Sequence, residues 1–252
     1  MIRLEGKGVC AGIAVGVVSY FGSSDPEVIH RSITDADAEL VRFQIAINAA
    51  EEQLSRLYGK ALAELGEKSA KIFEIQRELL RDEDHSNTVE SIILSQKVNA
   101  EYAVAVAADN FAAMISAIND DYMCARAADI RDVAQRIIRC LDGSGEKEFF
   151  GGKRTTCARI IFANDLTPSE VFRMNRENVL AIVTARGSAH SHSVILAKTM
   201  GIPSVIGIGR GLTPEHDGKL AAVDGSEGVV YIDPTPVIIA KAEEKRAAQA
   251  DK

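Results

Sequence analysis

The sequence VLAIVTARGSAHSHSVILAKTMGIP, residues 179–203, changes its period in the middle. Its first residues are apolar and partly β-branched, which is typical of a buried strand, and the pair Gly187-Ser188 then breaks the chain. Apolar residues next recur at helical spacing until a glycine and a proline end the helix. The segment therefore predicts a strand–turn–helix unit of an α/β domain, and it places His190 and His192 where the helix starts.

Segments of the same kind flank this unit on both sides. Short apolar runs bounded by turn residues predict further strands, and short amphipathic runs between them predict helices. The predicted strands cover residues 8–18, 158–162, 204–207, 220–223 and 228–232, and the predicted helices cover 170–175 and 194–200. An alternation of this type indicates an α/β fold.

A long helical stretch separates the first strand from the others. Thr34 with Asp37 resembles a capping box, and helices are predicted from Thr34 and over 67–80, 87–96, 99–118 and 120–141, ended by the glycines of 142–145. We therefore expect an α/β domain built from residues 1–22 and 146–233, with an all-α bundle of residues 23–145 inserted into it. Residues 234–252 are predicted to form a linker helix.

Composition excludes several classes of protein. With 252 residues, a net charge of −7 and a pI near 5.4, the chain is a poor candidate for binding nucleic acid, which requires basic patches. No apolar run approaches the about 20 residues that span a bilayer, and no signal peptide is evident, so we expect no membrane insertion and a cytoplasmic location. The cysteines, which lack any CxxC pair, indicate neither zinc nor a redox dithiol; they are Cys10, Cys124, Cys140 and Cys157.

The histidines at the predicted helix start carry the chemistry. A helix N-terminus offers backbone N–H groups without intrahelical partners and about half a positive charge, which favours an anion and disfavours a protonated imidazole. A neutral imidazole is a nucleophile, and its phosphorylated form carries the negative charge that such a terminus stabilises. Gly187 allows the backbone to approach a phosphoryl group, and the Ser191 hydroxyl adds a donor. A phosphohistidine site is therefore predicted.

Two other interpretations stay open on the local pattern alone. A His-x-His pair also has metal-ligand spacing, although no further ligand lies nearby in the sequence, and no metal site is expected. Both histidines could instead only cap or pack the helix. His30, His85 and His216 lie in polar, loop-like settings and are predicted to be surface side chains.

Residues 187–198 resemble the phosphohistidine signature of phosphoenolpyruvate-utilising enzymes, with His192 at the phosphorylated position. His190 stands where that signature commonly has Thr or Asn. Three further segments resemble enzyme I of the bacterial phosphoenolpyruvate:sugar phosphotransferase system: DLTPSE at 165–170, RAADIRD at 126–132, and IFE with LLRD between 72 and 82. The resemblance covers essentially the whole chain and implies a swivelling β/β/α phosphohistidine domain with a helical insert.

The resemblance also implies roles for individual residues. His192 would carry the phosphoryl group on Nε2, and Thr167 would hydrogen-bond the other ring nitrogen. The alternative for Thr167 is a helix cap before Pro168. Arg126 and Arg131 would face the phosphoryl group or the partner protein, or would only pair with Asp129 or Asp132.

The partner implied by the resemblance is the phosphocarrier HPr. Its docking surface in this family lies on the helical insert, where the matching positions are acidic with apolar anchors: Glu67, Glu74, Glu78, Leu79, Ile115, Met123 and Arg126. The alternatives are a solvated helix face and, for Leu79, a place in the core. Residues 23–145 carry 13 Lys and Arg against 22 Asp and Glu, so the acidic excess of the chain lies in the insert, as a basic partner would require.

Enzyme I also has a carboxy-terminal barrel domain that binds phosphoenolpyruvate and Mg²⁺. Nothing in the sequence matches it, so we expect the amino-terminal half, with no cofactor of its own, exchanging phosphoryl only with HPr. The alternatives are an enzyme I-like domain of a dihydroxyacetone kinase phosphotransfer subunit, the histidine domain of a dikinase, or a non-catalytic module that binds a carrier.

Overall fold

The structure is a computed structural model that describes residues 1–22, 28–118, 121–143, 158–174 and 176–250. The side chains of 121, 122, 124, 125, 249 and 250 are excluded from this description. The chain divides into two compact units, Met1–Ser23 with Glu148–Lys252 and Ser24–Lys147. The domain boundaries predicted from sequence, at 22–23 and 145–146, fall at or beyond the edges of the described residues.

The first unit is built on one mixed sheet. Within the described residues it has eight strands: β1 (Ile2–Glu5), β2 (Lys7–Cys10), β3 (Ile13–Phe21), β4 (Arg159–Ala163), β5 (Val179–Thr184), β6 (Ser204–Ile206), β7 (Leu220–Asp224) and β8 (Val229–Ile232). Their spatial order is β1-β8-β7-β3-β4-β5-β6-β2. The strands β3, β4, β5 and β6 run parallel, and every other pairing is antiparallel.

Apolar side chains fill the core of this sheet because its central strands are buried. Ile160 and Phe162 of β4 pack with Val183 of β5 and Val18 of β3, all of them fully buried. Two helices follow the parallel strands, α6 (Pro168–Arg173) and α7 (His192–Thr199), and they pack against each other. The predicted α/β fold class is confirmed.

The amino-terminal strand differs from its prediction. Residues 8–18 were expected to form one strand, but they are divided between β2 and β3, and β1 precedes them. Gly12 adopts a φ of +137°, a conformation that L side chains rarely reach, and the chain turns there between β2 and β3. A period-2 pattern does not reveal such a break when small residues occupy both sides of it.

The last helix, α8 (Pro236–Ala250), packs against β3 and β7. Lys245 Nζ donates to Asp224 Oδ2 at 3.1 Å and to Glu227 Oε1 at 2.7 Å. The segment predicted as a linker helix is therefore held along the sheet of its own unit by at least one pair of charge-assisted hydrogen bonds.

The second unit consists, in its described part, of five helices: α1 (Ala36–Leu65), α2 (Glu67–Leu80), α3 (Glu83–Gln96), α4 (Ala100–Ser116) and α5 (Asp121–Leu141). The prediction for α2 agrees with these bounds. The predicted cap of α1 was wrong, because Asp35 and not Thr34 accepts from the Ala38 N–H, at 3.0 Å. Helix α3 starts at Glu83, earlier than predicted, because Asp82 caps it.

Polar side chains connect the start of α1 with the start of α4 and with the end of α5. Arg42 of α1 donates to Glu39, to Glu101 of α4, and to the Leu141 carbonyl at the end of α5 at 2.9 Å. Asn99 fixes the segment leading into α1, since its Oδ1 accepts from the Arg31 N–H at 2.9 Å. None of the helices in the described ranges is long and apolar enough to cross a bilayer.

Two cysteines are described with their side chains. Cys10 on β2 and Cys140 on α5 form no disulfide and are half-buried. Burial raises the pKa of the Cys10 thiol against the opposing effect of Lys198, which keeps the thiol protonated and unreactive. The Cys124 side chain and Cys157 lie outside the described residues.

His216 corrects the prediction of three surface histidines. It is buried, its Nδ1 accepts from the Thr213 N–H at 3.2 Å, and its ring lies edge-on to Phe162. His85 is also shielded, packed against Phe111, whereas His30 is exposed. Burial lowers the pKa of His216, because a protonated ring would lose solvation, and the charge of Lys219 acts in the same direction.

This burial predicts a pH dependence of the α/β unit. Since the folded-state pKa lies below the ordinary value near 6.5, the neutral ring contributes stability above that pH. The contribution is lost as the pH falls from about 6.5 through the folded pKa. We expect chemical unfolding at pH 7 and pH 5 to show a larger loss in the wild type than in His216→Asn, which keeps an acceptor for Thr213. Equal losses would contradict the assignment.

Candidate active site at the start of helix α7

His192 is the first residue of α7, two positions before the predicted start of that helix. Ser191 is the N-cap, and its Oγ accepts from the Val194 N–H at 3.4 Å. The Ser191 and Ser193 hydroxyls lie 3.0 Å apart and share a hydrogen bond. The imidazole is therefore carried on the first turn, where backbone N–H groups and the positive end of the helix dipole are concentrated.

The loop between β5 and α7 depends on Gly187. Its φ is +122°, and a β-carbon there would lie 3.5 Å from Thr184 Oγ1 and 3.8 Å from Asp165 Oδ1. The Thr184 hydroxyl donates to the Arg186 carbonyl at 2.5 Å, which holds the loop as it leaves the strand. A residue with a side chain would be strained at position 187 by its backbone conformation rather than by lack of space.

Ser188 orders the second half of the same loop. Its Oγ accepts from the His190 N–H at 3.2 Å, and its carbonyl accepts from the Ser191 N–H at 3.1 Å. The His190 side chain is exposed and that of His192 is half-buried. The two imidazoles thus occupy different environments although they are two residues apart.

Thr167 caps helix α6 in a complete capping box. Its Oγ1 accepts from the Glu170 N–H at 3.3 Å, and the Glu170 carboxylate accepts from the Thr167 N–H at 2.9 Å. Pro168 follows at the first helical position. The cap interpretation of Thr167 is therefore realised, and it is compatible with a role toward an imidazole, because a hydroxyl oxygen can accept two hydrogen bonds.

The loops that lead into α6 and α7 lie side by side. The Ala185 N–H donates to the Ala163 carbonyl at 3.0 Å, and the Arg186 N–H donates to the Asn164 carbonyl at 2.8 Å. Asp165, Gly187, Ser191 and Ser193 all line one cavity of about 20 Å³. Residues from the DLTPSE segment and from the histidine segment are thus brought together, including Asp165, to which the sequence assigned no role.

The His-x-His metal interpretation gains no support from the described residues. Within them, no group of three or more His, Cys, Asp or Glu side chains is placed to hold a metal ion. The first turn of α7 also carries no acidic residue. The electrostatics of this turn favour an incoming anion over a cation.

The predicted arginines lie on α5 of the helical unit. Arg131 is exposed, and its Nε lies 3.7 Å from Asp109 Oδ1 of α4. Its ion pair is therefore with Asp109, whereas the predicted partners Asp129 and Asp132 are buried. Arg126 is half-buried on the same helix.

The predicted docking residues are distributed over α2, α4 and α5. On α2, Glu67, Glu74 and Glu78 are exposed on one stripe of the helix, and Lys71 occupies the same stripe. The two arginines Arg77 and Arg81 lie close to Glu51 of α1. The stripe is therefore acidic with one central cation, which the spacing of the glutamates alone did not predict.

The apolar docking candidates lie on α2, α4 and α5. Leu79, Ile115 and Met123 are all half-buried, so none of them is a fully buried core residue. Two exposed apolar residues at the end of α4 were missed, Met114 at 69% and Ile118 at 58% exposure. The sequence could have indicated both as candidate contacts, because they lie close to Ile115 and outside the buried stripe of the helix.

Comparison with known families divides the chain in two. The family "PEP-utilising enzyme, N-terminal" matches residues 5–126, and the family "PEP-utilising enzyme, mobile domain" matches residues 156–228. The second match contains both loops of the candidate site. The first covers most of the helical unit.

Individual relatives agree with these matches. Phosphoenolpyruvate-protein phosphotransferases of Bacillus subtilis and Geobacillus stearothermophilus are 36% and 34% identical over 98% and 97% of this chain, which spans only 43% and 42% of their lengths. A solution structure of an enzyme I protein is 30% identical with a TM-score of 0.71, and 98% of this chain and 99% of that chain are covered. The chain belongs to the enzyme I family of phosphoenolpyruvate-utilising enzymes and corresponds to the amino-terminal part of its members.

Proposed function

We propose that this chain transfers a phosphoryl group reversibly between His192 and the phosphocarrier HPr. The observation that carries the proposal is the position of His192 on the first turn of α7, capped by Ser191 and preceded by a glycine loop. Acceptance of phosphoryl from phosphoenolpyruvate, as the names of the relatives indicate, would require the portion of those proteins that this chain does not match. The cytoplasmic location predicted from sequence stays a prediction.

The transfer step exchanges one P–N bond for another. The lone pair of a neutral His192 Nε2 attacks the phosphorus of phosphohistidine on HPr, the new P–N bond forms, and the carrier imidazole leaves with the electron pair of the old bond. Charge on the three phosphoryl oxygens is met by the first-turn N–H groups and by the Ser191 and Ser193 hydroxyls. Gly187 permits the close approach of the backbone.

Thr167 would fix the tautomer of the nucleophile. For Nε2 to attack, the ring proton must reside on Nδ1, and a hydroxyl oxygen that accepts from Nδ1–H selects that state. The capping box supports this role, since the Glu170 N–H holds Oγ1 in one place and leaves it able to accept a second hydrogen bond. Because the two loops are adjacent, the Thr167 hydroxyl would be able to reach the His192 ring.

The carrier would dock on the helical unit. The stripe of Glu67, Glu74 and Glu78 attracts a basic protein and orients its approach, while Leu79, Ile115, Met123 and Arg126 would retain it. The acidic excess of residues 23–145 supports the same assignment. Arg131, which lies 3.7 Å from Asp109, is retained as a candidate contact to the phosphoryl group or partner.

The first prediction concerns the two histidines of the loop. His192→Ala should abolish labelling of the chain by phosphorylated HPr, because the nucleophile is gone, while the exposed His190 can be replaced by alanine with the label retained. The label should be acid-labile and base-stable, as expected of phosphohistidine. A label that persists in His192→Ala, or disappears only in His190→Ala, would refute the assignment.

A second prediction separates the two functions of Thr167. Thr167→Val removes both the cap and the proposed acceptor for Nδ1–H, so phosphorylation of His192 should slow by about tenfold or more. Glu170→Ala breaks the same capping box but leaves the hydroxyl, and its rate should stay close to that of the wild type. Rapid-quench measurement of label transfer compares them. Equal slowing in both variants would show that Thr167 acts only as a cap of helix α6.

A third prediction tests the docking stripe. Glu74→Lys should lower kcat/KM for transfer from phosphorylated HPr by about tenfold, mainly through KM, with a weaker dependence on salt. Glu52→Lys on α1 is the matched control, since it reverses an exposed charge of the same sign outside the stripe. Equal effects of the two substitutions would show that only the net charge matters.

A further inference from the structure

A column of buried polar side chains runs along one face of α5. Asp129, Asp132 and Arg136 follow one another at helical spacing, and each is less than one-tenth exposed. Such residues are rarely buried in a helical bundle, where aliphatic side chains fill the space at lower cost. Stability alone therefore does not explain why these three side chains are buried.

The column makes directional hydrogen bonds to two other helices. Gln76 of α2 is fully buried, and its Nε2 donates to Asp132 Oδ2 at 2.6 Å. Arg136 Nη1 donates to Gln53 Oε1 of α1 at 2.9 Å. The bonds link α1, α2 and α5 through the centre of the bundle.

Removing these polar and charged groups from water costs free energy. Burial raises the pKa of the Asp132 carboxyl despite the opposing Arg136 guanidinium, and Gln76 Oε1 has no hydrogen-bond partner among the described residues. Apolar residues of similar volume in such places are often neutral or stabilising. The column therefore contributes something other than a favourable free energy of folding.

Helix geometry indicates what that contribution is. Apolar faces tolerate small shifts of one helix along another, whereas an amide–carboxyl hydrogen bond forms only over a narrow range of offsets. Gln76 lies two residues from both Glu74 and Glu78, about 200° around α2, so it faces inward when they face outward. Met123 lies nine residues, or two and a half turns, before Asp132 and so lies on the opposite side of α5.

We propose that the Gln76–Asp132 bond, with Arg136 and Gln53 beside it, locks the register of α2 against α5. These are positioning residues, since they lie beneath the outer faces of the two helices that carry the carrier-docking side chains. The lock keeps Glu74 and Glu78 at a fixed offset from Met123 and Arg126. The functional half of this inference rests on the proposed transfer from HPr, and the structural half does not.

The test replaces the pair by apolar residues in a double variant, Gln76→Met with Asp132→Leu. We expect a Tm no lower than that of Asp132→Asn, which also leaves Arg136 without the Asp132 carboxylate, together with a fall of about tenfold in kcat/KM for transfer from phosphorylated HPr, carried by KM rather than kcat. Asp132→Asn is the matched control, because its amide oxygen still accepts from Gln76 Nε2. It should keep the transfer rate, while its Tm falls because the buried Arg136 loses an opposing charge.

Register is read directly by a spin-label distance between positions 78 and 128, both exposed, in a background with the four cysteines replaced by alanine. The unsubstituted pair should give one narrow distance, and the double variant a broadened or shifted one. A narrow, unshifted distance in the double variant overturns the lock, and so does a fall in transfer of the same size in Asp132→Asn. If the unsubstituted chain does not accept phosphoryl from phosphorylated HPr, the proposed function is wrong. The spin-label distance between positions 78 and 128 still tests whether the register of α2 against α5 is locked.

Discussion

Two backbone hydrogen bonds at the ends of adjacent parallel strands determine the geometry of the site. Ala185 donates to the Ala163 carbonyl and Arg186 to the Asn164 carbonyl, so the chain leaves β4 and β5 at the same edge of the sheet. Because parallel strands deliver their following loops to one edge, the starts of α6 and α7 become neighbours. Thr167 and His192, 25 positions apart in the sequence, owe their shared location to this pairing.

The site then uses elementary helix chemistry. Each loop ends in a hydroxyl side chain that caps a helix, Thr167 for α6 and Ser191 for α7. A capped N-terminus fixes the first turn, and the first turn of α7 presents the imidazole together with N–H groups suited to an anion. Gly187 completes the arrangement by adopting a φ of +122°. Local sequence thus supplies the cap, the nucleophile and the turn within a few residues.

Local pattern also explains which parts of the fold were predictable. The run 179–183 is continuously apolar and the segment 67–80 keeps a helical period, and both became β5 and α2. The cap of α1 was wrong because Thr34 and Asp35 are both good caps, and only the backbone conformation selects one. The start of α7 was placed two residues late, since Ser191 and Ser193 are equally plausible caps by type.

Contacts between distant segments could not be predicted in this way. Gln76 and Asp132 are 56 residues apart, and nothing in either helix alone marks them as partners. The burial of His216 depends on Phe162 of β4, which is distant in the sequence, so the polar neighbours of His216 suggested a surface position instead. Lys71, in contrast, follows Glu67 by four residues, so helical spacing alone places it in the acidic stripe.

In the proposed function, the nitrogen Nε2 of His192 exchanges phosphoryl with a carrier. Long-range ¹H–¹⁵N correlation spectra of the histidine rings, recorded on the ¹⁵N-labelled chain before and after addition of phosphorylated HPr, test it most directly. We predict that Nε2 of His192 alone acquires the phosphoryl group, with the proton of the neutral ring on Nδ1 beforehand. Phosphorylation at Nδ1, or on His190, or no change in any ring, would contradict it.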